Sequence, residues 1–368
     1  MIPGIHINTI AELLFSFGLS GFFGVLFLYF IYAIFVVLEG IYSIILNIPD
    51  SHSAILPTAS QKLVVKGQAT QAIYSYFMGG ILGAVFSIIL FPFSFFLIPL
   101  ILPIVNEYLL LILLFSVSYI LLNSHNKTGI FIFLLAGIFG YFILNIETDL
   151  NLIFPMFVGF FTIPALLIKS QKVSVQNMNL NEIKINKKTT FLAVLSSIIV
   201  FLIPGVATPT QIIILAGIFS QFKEEDYVSA IGAINSSAIF YSLLMLDLIG
   251  KARTGVAIVA NEMMTSDLLL HLIVGTISLI SFISFTFLIS KNLKKIVEFV
   301  SVFNHSYMKY LLLIYLVIMS YLITGALGIF VIGIASIIGT LTLMLQADRT
   351  NLMGSVILNS VLYYFKKG

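Results

Sequence analysis

Residues 10–48 carry only two charged side chains, Glu12 and Glu39, and residues 70–123 carry one, Glu107. About 20 consecutive apolar residues suffice to cross the hydrocarbon core of a bilayer. Within lipid the backbone must satisfy its own hydrogen bonds, so spanning segments are helices or closed barrels. Runs that are apolar throughout, with no alternation, select helices. Further apolar runs cover residues 130–145, 152–168, 189–203, 211–222, 227–249, 267–290, 310–324 and 327–345, and a last one, 352–365, is short for a full crossing. Charged residues make up 9% of the chain, against about 25% in soluble domains. The expected fold is an all-α polytopic membrane protein with about ten to twelve membrane segments. Residues 10–48 are expected to cross twice, with a tight turn near residues 18–24. Pro92, Pro99 and Pro103 are expected to interrupt the run from 70 to 123.

The charges that remain lie between the apolar runs. Residues 169–188 hold Lys169, Lys172, Lys184, Lys187 and Lys188 against Glu182 alone. Short basic loops stay on the cytoplasmic side, so this loop and the closing Lys366-Lys367 are expected in the cytoplasm of a cell-membrane protein. The loop divides the chain into a first membrane repeat, residues 1–168, and a second, residues 189–368. The formal net charge of +3 implies no nucleic-acid partner. There is no cysteine, which removes disulfides, thiol catalysis and cysteine metal sites. H-E-x-x-H, G-x-G-D and G-x-S-x-G are all missing from the sequence, which argues against an intramembrane enzyme. No metal site or resident cofactor is expected.

The two parts echo each other. The chain opens M-I-P-G-I-H-I-N-T, and I-P-G-V-A-T-P-T returns at residues 203–210. Each Pro-Gly pair breaks an apolar run and is followed by small hydroxyl or amide residues. Residues 41–55, with Asn47, Pro49, Asp50, Ser51 and His52, are matched by residues 227–239, with Asn235, Ser236 and Ser237. A Gly-plus-basic turn follows each, at Lys66-Gly67 and at Gly250-Lys251-Ala252-Arg253. Repeated halves with broken helices or re-entrant hairpins mark a secondary transporter. Half-helix N-termini attract anions, and unwound carbonyls can hold Na⁺. The expected substrate site is therefore Pro3, Gly4, His6, Asn8, Thr9, Asn47, Pro49, Asp50, Ser51, Pro204, Gly205, Thr208, Pro209, Thr210, Asn235, Ser236 and Ser237. Intramembrane acids are costly and point to function, so Glu39 and Asn261-Glu262 are expected to couple transport to Na⁺ or a proton. About fifteen apolar residues precede the second break and two precede the first. A half-helix is therefore expected upstream of Met1, or the first site is built without it. Gly79-x-x-x-Gly83 permits close helix packing, within the chain first and in a homodimer second.

At these residues the chain resembles the large permease subunit of the tripartite tricarboxylate transporters. Residues 2–9 and 203–211 are similar to that family's Pro-Gly-rich breaks. Asn47-Ile48-Pro49-Asp50 is similar to its N-x-P-G stretch, with Asp50 in place of Gly, and Ala233 to Ser236 to its A-I-N-S segment. Gly250 to Arg253 and Arg349 to Gly354 also fit. The resemblance implies a permease for an organic anion such as a di- or tricarboxylate, driven by an ion gradient. It also implies two partners, a small membrane subunit and an extracytoplasmic binding protein. The alternative reading is a translocase for an anionic lipid such as a polyprenyl phosphate.

Overall fold

The computed structural model describes residues 7–46, 56–122, 127–148, 152–167, 185–202, 222–250, 252, 254–265, 267–302, 306–347 and 349–367. Among them there is no strand. The helices are α1 (Ile7–Ser16), α2 (Gly21–Leu46), α3 (Leu56–Val65), α4 (Ala69–Glu107), α5 (Leu109–Leu122), α6 (Lys127–Leu144), α7 (Ile153–Phe157), α8 (Ile163–Leu167), α9 (Lys187–Leu202), α10 (Glu224–Ile249), α11 (Gly255–Met263), α12 (Leu268–Ser290), α13 (Leu293–Val302), α14 (Ser306–Met344) and α15 (Gly354–Lys367). A π-helical turn, Val158–Thr162, joins α7 to α8, and a 3₁₀ turn, Arg349–Met353, leads into α15.

Local chemistry sets several of these boundaries. Gly250 ends α10 in the left-handed conformation, φ 64°, which a residue without Cβ adopts at no steric cost. Thr254 caps α11 by accepting from the Ala257 N–H. The Asp267 carboxylate accepts from the Leu269 and Leu270 N–H groups and caps α12. In α14, Gly325 has φ 62° and ψ −155°, a region essentially reserved for glycine. It breaks the helix in mid-course without a proline.

Five helices among the described residues are long and apolar enough to cross a membrane: Gly21–Ile45, Ala69–Glu107, Glu224–Ile249, Leu268–Ser290 and Leu313–Met344. Where two crossings were expected from residues 10–48, α2 alone is of spanning length. The 10 residues of α1 reach only about 15 Å. Pro92, Pro99 and Pro103 all lie inside α4, which runs on for 39 residues. Each proline removes one backbone donor, and a membrane helix can absorb that loss locally.

Residues Met1–Ile104, Lys172–Leu202 and Thr208–Ser301 form one compact unit, and Val105–Gln171, Ile203–Ala207 and Val302–Gly368 form a second. In the first unit α10 is the most enclosed spanning helix, with 94% of its apolar window buried. It packs on α2, α3, α9, α11 and α12. Toward α4 it presents Ser229, Gly232, Ala233 and Ser236, met by Gly79, Gly80 and Gly83. A Cβ on Gly83 would lie 2.5 Å from the Ala233 Cα. One on Gly79 would overlap the Ser229 carbonyl, and one on Gly232 the Tyr76 carbonyl oxygen. The two backbones thus touch through small residues, the usual way to bring membrane helices close. The Gly79-x-x-x-Gly83 spacing serves packing inside the chain.

In the second unit α6 lies on α15 and α14 lies on the π turn. Gly137 and Gly140 face Leu358 and Ser355, and Gly159 faces Ala335. Val158, Ile163, Leu316 and Ile332 close an apolar cluster between them. Asn145 Nδ2 donates to Asn359 Oδ1 at 3.0 Å.

Large apolar side chains point outward, including Phe23, Phe96, Phe115, Leu122 and Leu322, while Ser43, Ser75, Ser87, Ser94, Ser236, Ser237 and Ser278 are buried. That inverted arrangement suits a lipid surround, where apolar surface costs nothing and polar groups seek one another.

Gly83→Val is expected to lower the stability of the detergent-solubilised protein by about 1–3 kcal/mol through overpacking. Gly333→Ala, which meets nothing within 4 Å, is expected to leave it unchanged or slightly raised. Thermal melting monitored by circular dichroism distinguishes the two.

Candidate functional site

The buried polar groups of the first unit converge on α10. Asn235, 4% exposed, donates through Nδ2 to the Tyr76 hydroxyl at 3.1 Å. Tyr76 in turn donates to the Val36 carbonyl at 3.1 Å. One tyrosine thereby ties α10, α4 and α2 together. Its ring lies so close to Gly40 that a Cβ there would overlap it. Glu39, 1% exposed, is the residue before Gly40 and one turn after Val36. An amide and a phenol thus meet where three membrane helices come together, and the buried Glu39 lies on α2 beside Gly40.

Two more tyrosines repeat the device. Tyr29 Oη lies 3.2 Å from Ser242 Oγ, joining α2 to α10. Tyr241 donates to the Ser87 carbonyl at 3.2 Å and accepts from Ser94 Oγ at 3.3 Å, joining α10 to α4. The pairings Tyr29–Ser242 and Val36–Tyr76–Asn235 run in opposite directions along the two chains, so α2 and α10 are antiparallel. Phe240, beside this line, packs edge-on against Phe91 at 6.0 Å and leaves Gly275 of α12 no room for a Cβ.

The expected site residues divide into groups. Pro3, Gly4, His6, Asn47, Pro49, Asp50, Ser51, Pro204, Gly205, Thr208, Pro209 and Thr210 lie outside the described residues. The described part of α9 runs over Lys187–Leu202. Asn8 and Thr9 open α1, and the Asn8 amide lies against Gly255 at the start of α11. Asn235 is in the network just described. Ser236 and Ser237 are buried beside it, but each hydroxyl donates back to its own helix, to Ala233 O and Ile234 O. Asn261 and Glu262 lie exposed in the last turn of α11. No group of three or more His, Cys, Asp or Glu able to hold a metal ion occurs among the described residues.

Two contributors are absent from the sequence-derived set. Tyr76 left a faint signal, because a phenol in an apolar helix needs a partner for its hydroxyl. His271 left a clearer one, as the only ionisable side chain in α12. Its Nδ1 lies 2.7 Å from Asp247 Oδ2 on α10.

An all-helical chain with apolar flanks, several spanning helices and a buried polar network is a multi-pass membrane protein. More narrowly, the chain belongs to the tripartite tricarboxylate transporter TctA family, whose profile matches residues 1–354. That is a family of transporter permease subunits, and its tripartite organisation implies partners, a binding protein and a small membrane subunit. The chain is also similar to the uncharacterized protein MJ1079 of Methanocaldococcus jannaschii, with 26% identity over 385 residues, covering 100% of this chain and 95% of that protein. No solved structure matches it.

A double-mutant cycle with Tyr76→Phe and Asn235→Ala is expected to give a coupling energy of about 0.6 kcal/mol, the average found by such cycles for interhelical hydrogen bonds in a membrane protein. Equilibrium unfolding in mixed micelles measures it.

Proposed function

We infer that the chain is a secondary active permease in the cell membrane for an organic anion, a di- or tricarboxylate, driven by a Na⁺ or H⁺ gradient. The substrate is held between the two Pro-Gly stretches, with Asn235 and the neighbouring amide and hydroxyl groups completing its polar surround. The loop at residues 169–188 and the C-terminus face the cytoplasm, where positive charge is retained.

The observation that carries this reading is the composition of the two compact units. The first takes residues 1–104 and 172–301 apart from a short piece, and the second takes 105–171 and 302–368. Each unit therefore draws the same portion from both parts of the sequence. The order of helices supports the same pairing. Helices α2 and α10 are both 26 residues long. Each is followed by a short helix, α3 of 10 residues or α11 of 9. Next comes α4 in one part and α12 with α13 in the other, then α5 with α6 or the broken α14.

Contacts respect the exchange as well: α3 touches α2 and α10, while α11 touches α10 and α2. The antiparallel course of α2 and α10 is what two repeats of inverted topology would give. Inverted repeats around discontinuous helices suit alternating access, and a tricarboxylate is the substrate class that the family is named for.

Under this pairing the structural partner of Asn235, in mid-helix, lies in α2 and not at Asn47. The sequence similarity and the helix order thus favour different registers for the repeat.

Thermal stabilisation tests the reading, because a ligand bound only by the folded state raises its stability by about 2.7 kcal/mol at a hundredfold excess over Kd. Citrate or succinate is expected to raise Tm, with Na⁺ or low pH adding to the shift, and Asn235→Ala or Thr208→Ala is expected to diminish it. A shift with a polyprenyl phosphate and none with any carboxylate would overturn the proposal.

A further inference from the structure

The one buried ionisable pair among the described residues that the polar network does not use is His271 with Asp247. His271 is 0% exposed and the Asp247 side chain 9%. They lie 2.7 Å apart across the α10–α12 contact. A hydrogen bond from Nδ1–H to the carboxylate leaves the other ring nitrogen, Nε2, as the atom that gains or loses a proton. Nε2 is itself buried and has no hydrogen-bond partner.

Two opposed effects meet at that atom. With the imidazole neutral the pair has a net charge of −1, which a low-dielectric interior disfavours. Adding a proton to the Nε2 lone pair gives an imidazolium against a carboxylate and a net charge of zero. The new N–H, however, finds no acceptor, and an unmet buried donor is itself unfavourable. Charge compensation thus favours uptake, and the missing acceptor favours release. A site that must load and unload in every cycle needs such a balance.

Its position suits that work. Asp247 is within one turn of the end of α10 and His271 one turn into α12, so the pair lies near one end of both helices. Among the described residues few other titratable groups lie nearby. On α2, Tyr29 is engaged with Ser242, and Glu39 lies near the level of Asn235, about three turns away. On α11, Glu262 is exposed. Asp267 is committed to capping α12. Lys251 and Arg253, in the turn after α10, lie outside the described residues.

Resting on the carrier reading above, we propose that His271 and Asp247 form the proton-binding site that couples transport to the proton gradient. Nε2 takes a proton from water on one face, and the neutralised pair carries it through the conformational change. On the other side Nε2 returns it to water.

The test has two arms on the full chain. The first follows ¹⁵N-histidine resonances, His271→Gln identifying one of the five histidines by its loss. The His271 signal is expected to respond to pH, and Asp247→Asn, which removes the carboxylate 2.7 Å from its Nδ1, is expected to alter that response. The second arm reads citrate in proteoliposomes. His271→Gln and Asp247→Asn are expected to lose proton-driven accumulation about tenfold more than they lose citrate counterflow, with Asp247→Glu restoring it.

A His271 signal that never titrates, or variants that accumulate citrate as the wild type does, would overturn the proposal. So would accumulation that responds to Na⁺ alone, or an equal loss of both transport modes in monodisperse variants. A titrating His271 in a chain that exchanges no citrate would refute the carrier reading and leave the proton site standing.

Discussion

The contact on which the first unit depends is the meeting of two backbones, α4 and α10, through Gly79, Gly80, Gly83, Gly232 and Ala233. In water, helices are driven together by burying apolar faces. In lipid that drive is absent, and association depends on packing and polar contacts. Side chains larger than a methyl would hold the axes apart and take the polar groups with them. With the axes close, Asn235 reaches Tyr76 and Tyr241 reaches Ser87. The glycines of α4 therefore set the distance that the polar network requires. The same means recurs in the second unit, where Gly137 and Gly140 admit α15 to α6 and Gly339 admits α14 to the π turn.

Much of this was legible from residue types. Low charge and long apolar runs define an all-helical membrane protein, because lipid leaves the backbone few alternatives. Gly250 and Asp267 mark real helix ends, since their requirements are local. Asn235, Ser236 and Ser237 could be picked out as polar groups in an apolar segment, and all three are buried.

What could not be read depends on distance or on competition between local and tertiary effects. Asn235 bonds to Tyr76, 159 positions away, and no spacing rule reports such a partner. Pro92, Pro99 and Pro103 look like breaks by their chemistry, yet α4 passes through them because a helix is the cheapest state for backbone in lipid. Gly325 breaks α14 where nothing but a single glycine announces it. Ser236 and Ser237 illustrate a further limit: a hydroxyl's presence is legible, but whether it turns to a ligand or back to its own helix is not. The His271–Asp247 pair shows the converse, since each is legible as an ionisable residue in an apolar run but only the packing of α12 on α10 brings them together.

The break at Gly325 bears on what fixes the course of α14. A Cβ built on Gly325 would meet nothing within 4 Å, so what holds that position to glycine is its backbone conformation and not crowding. The two segments of α14 are joined there by one residue that no neighbour fills, and their mutual angle is carried by that residue's φ and ψ.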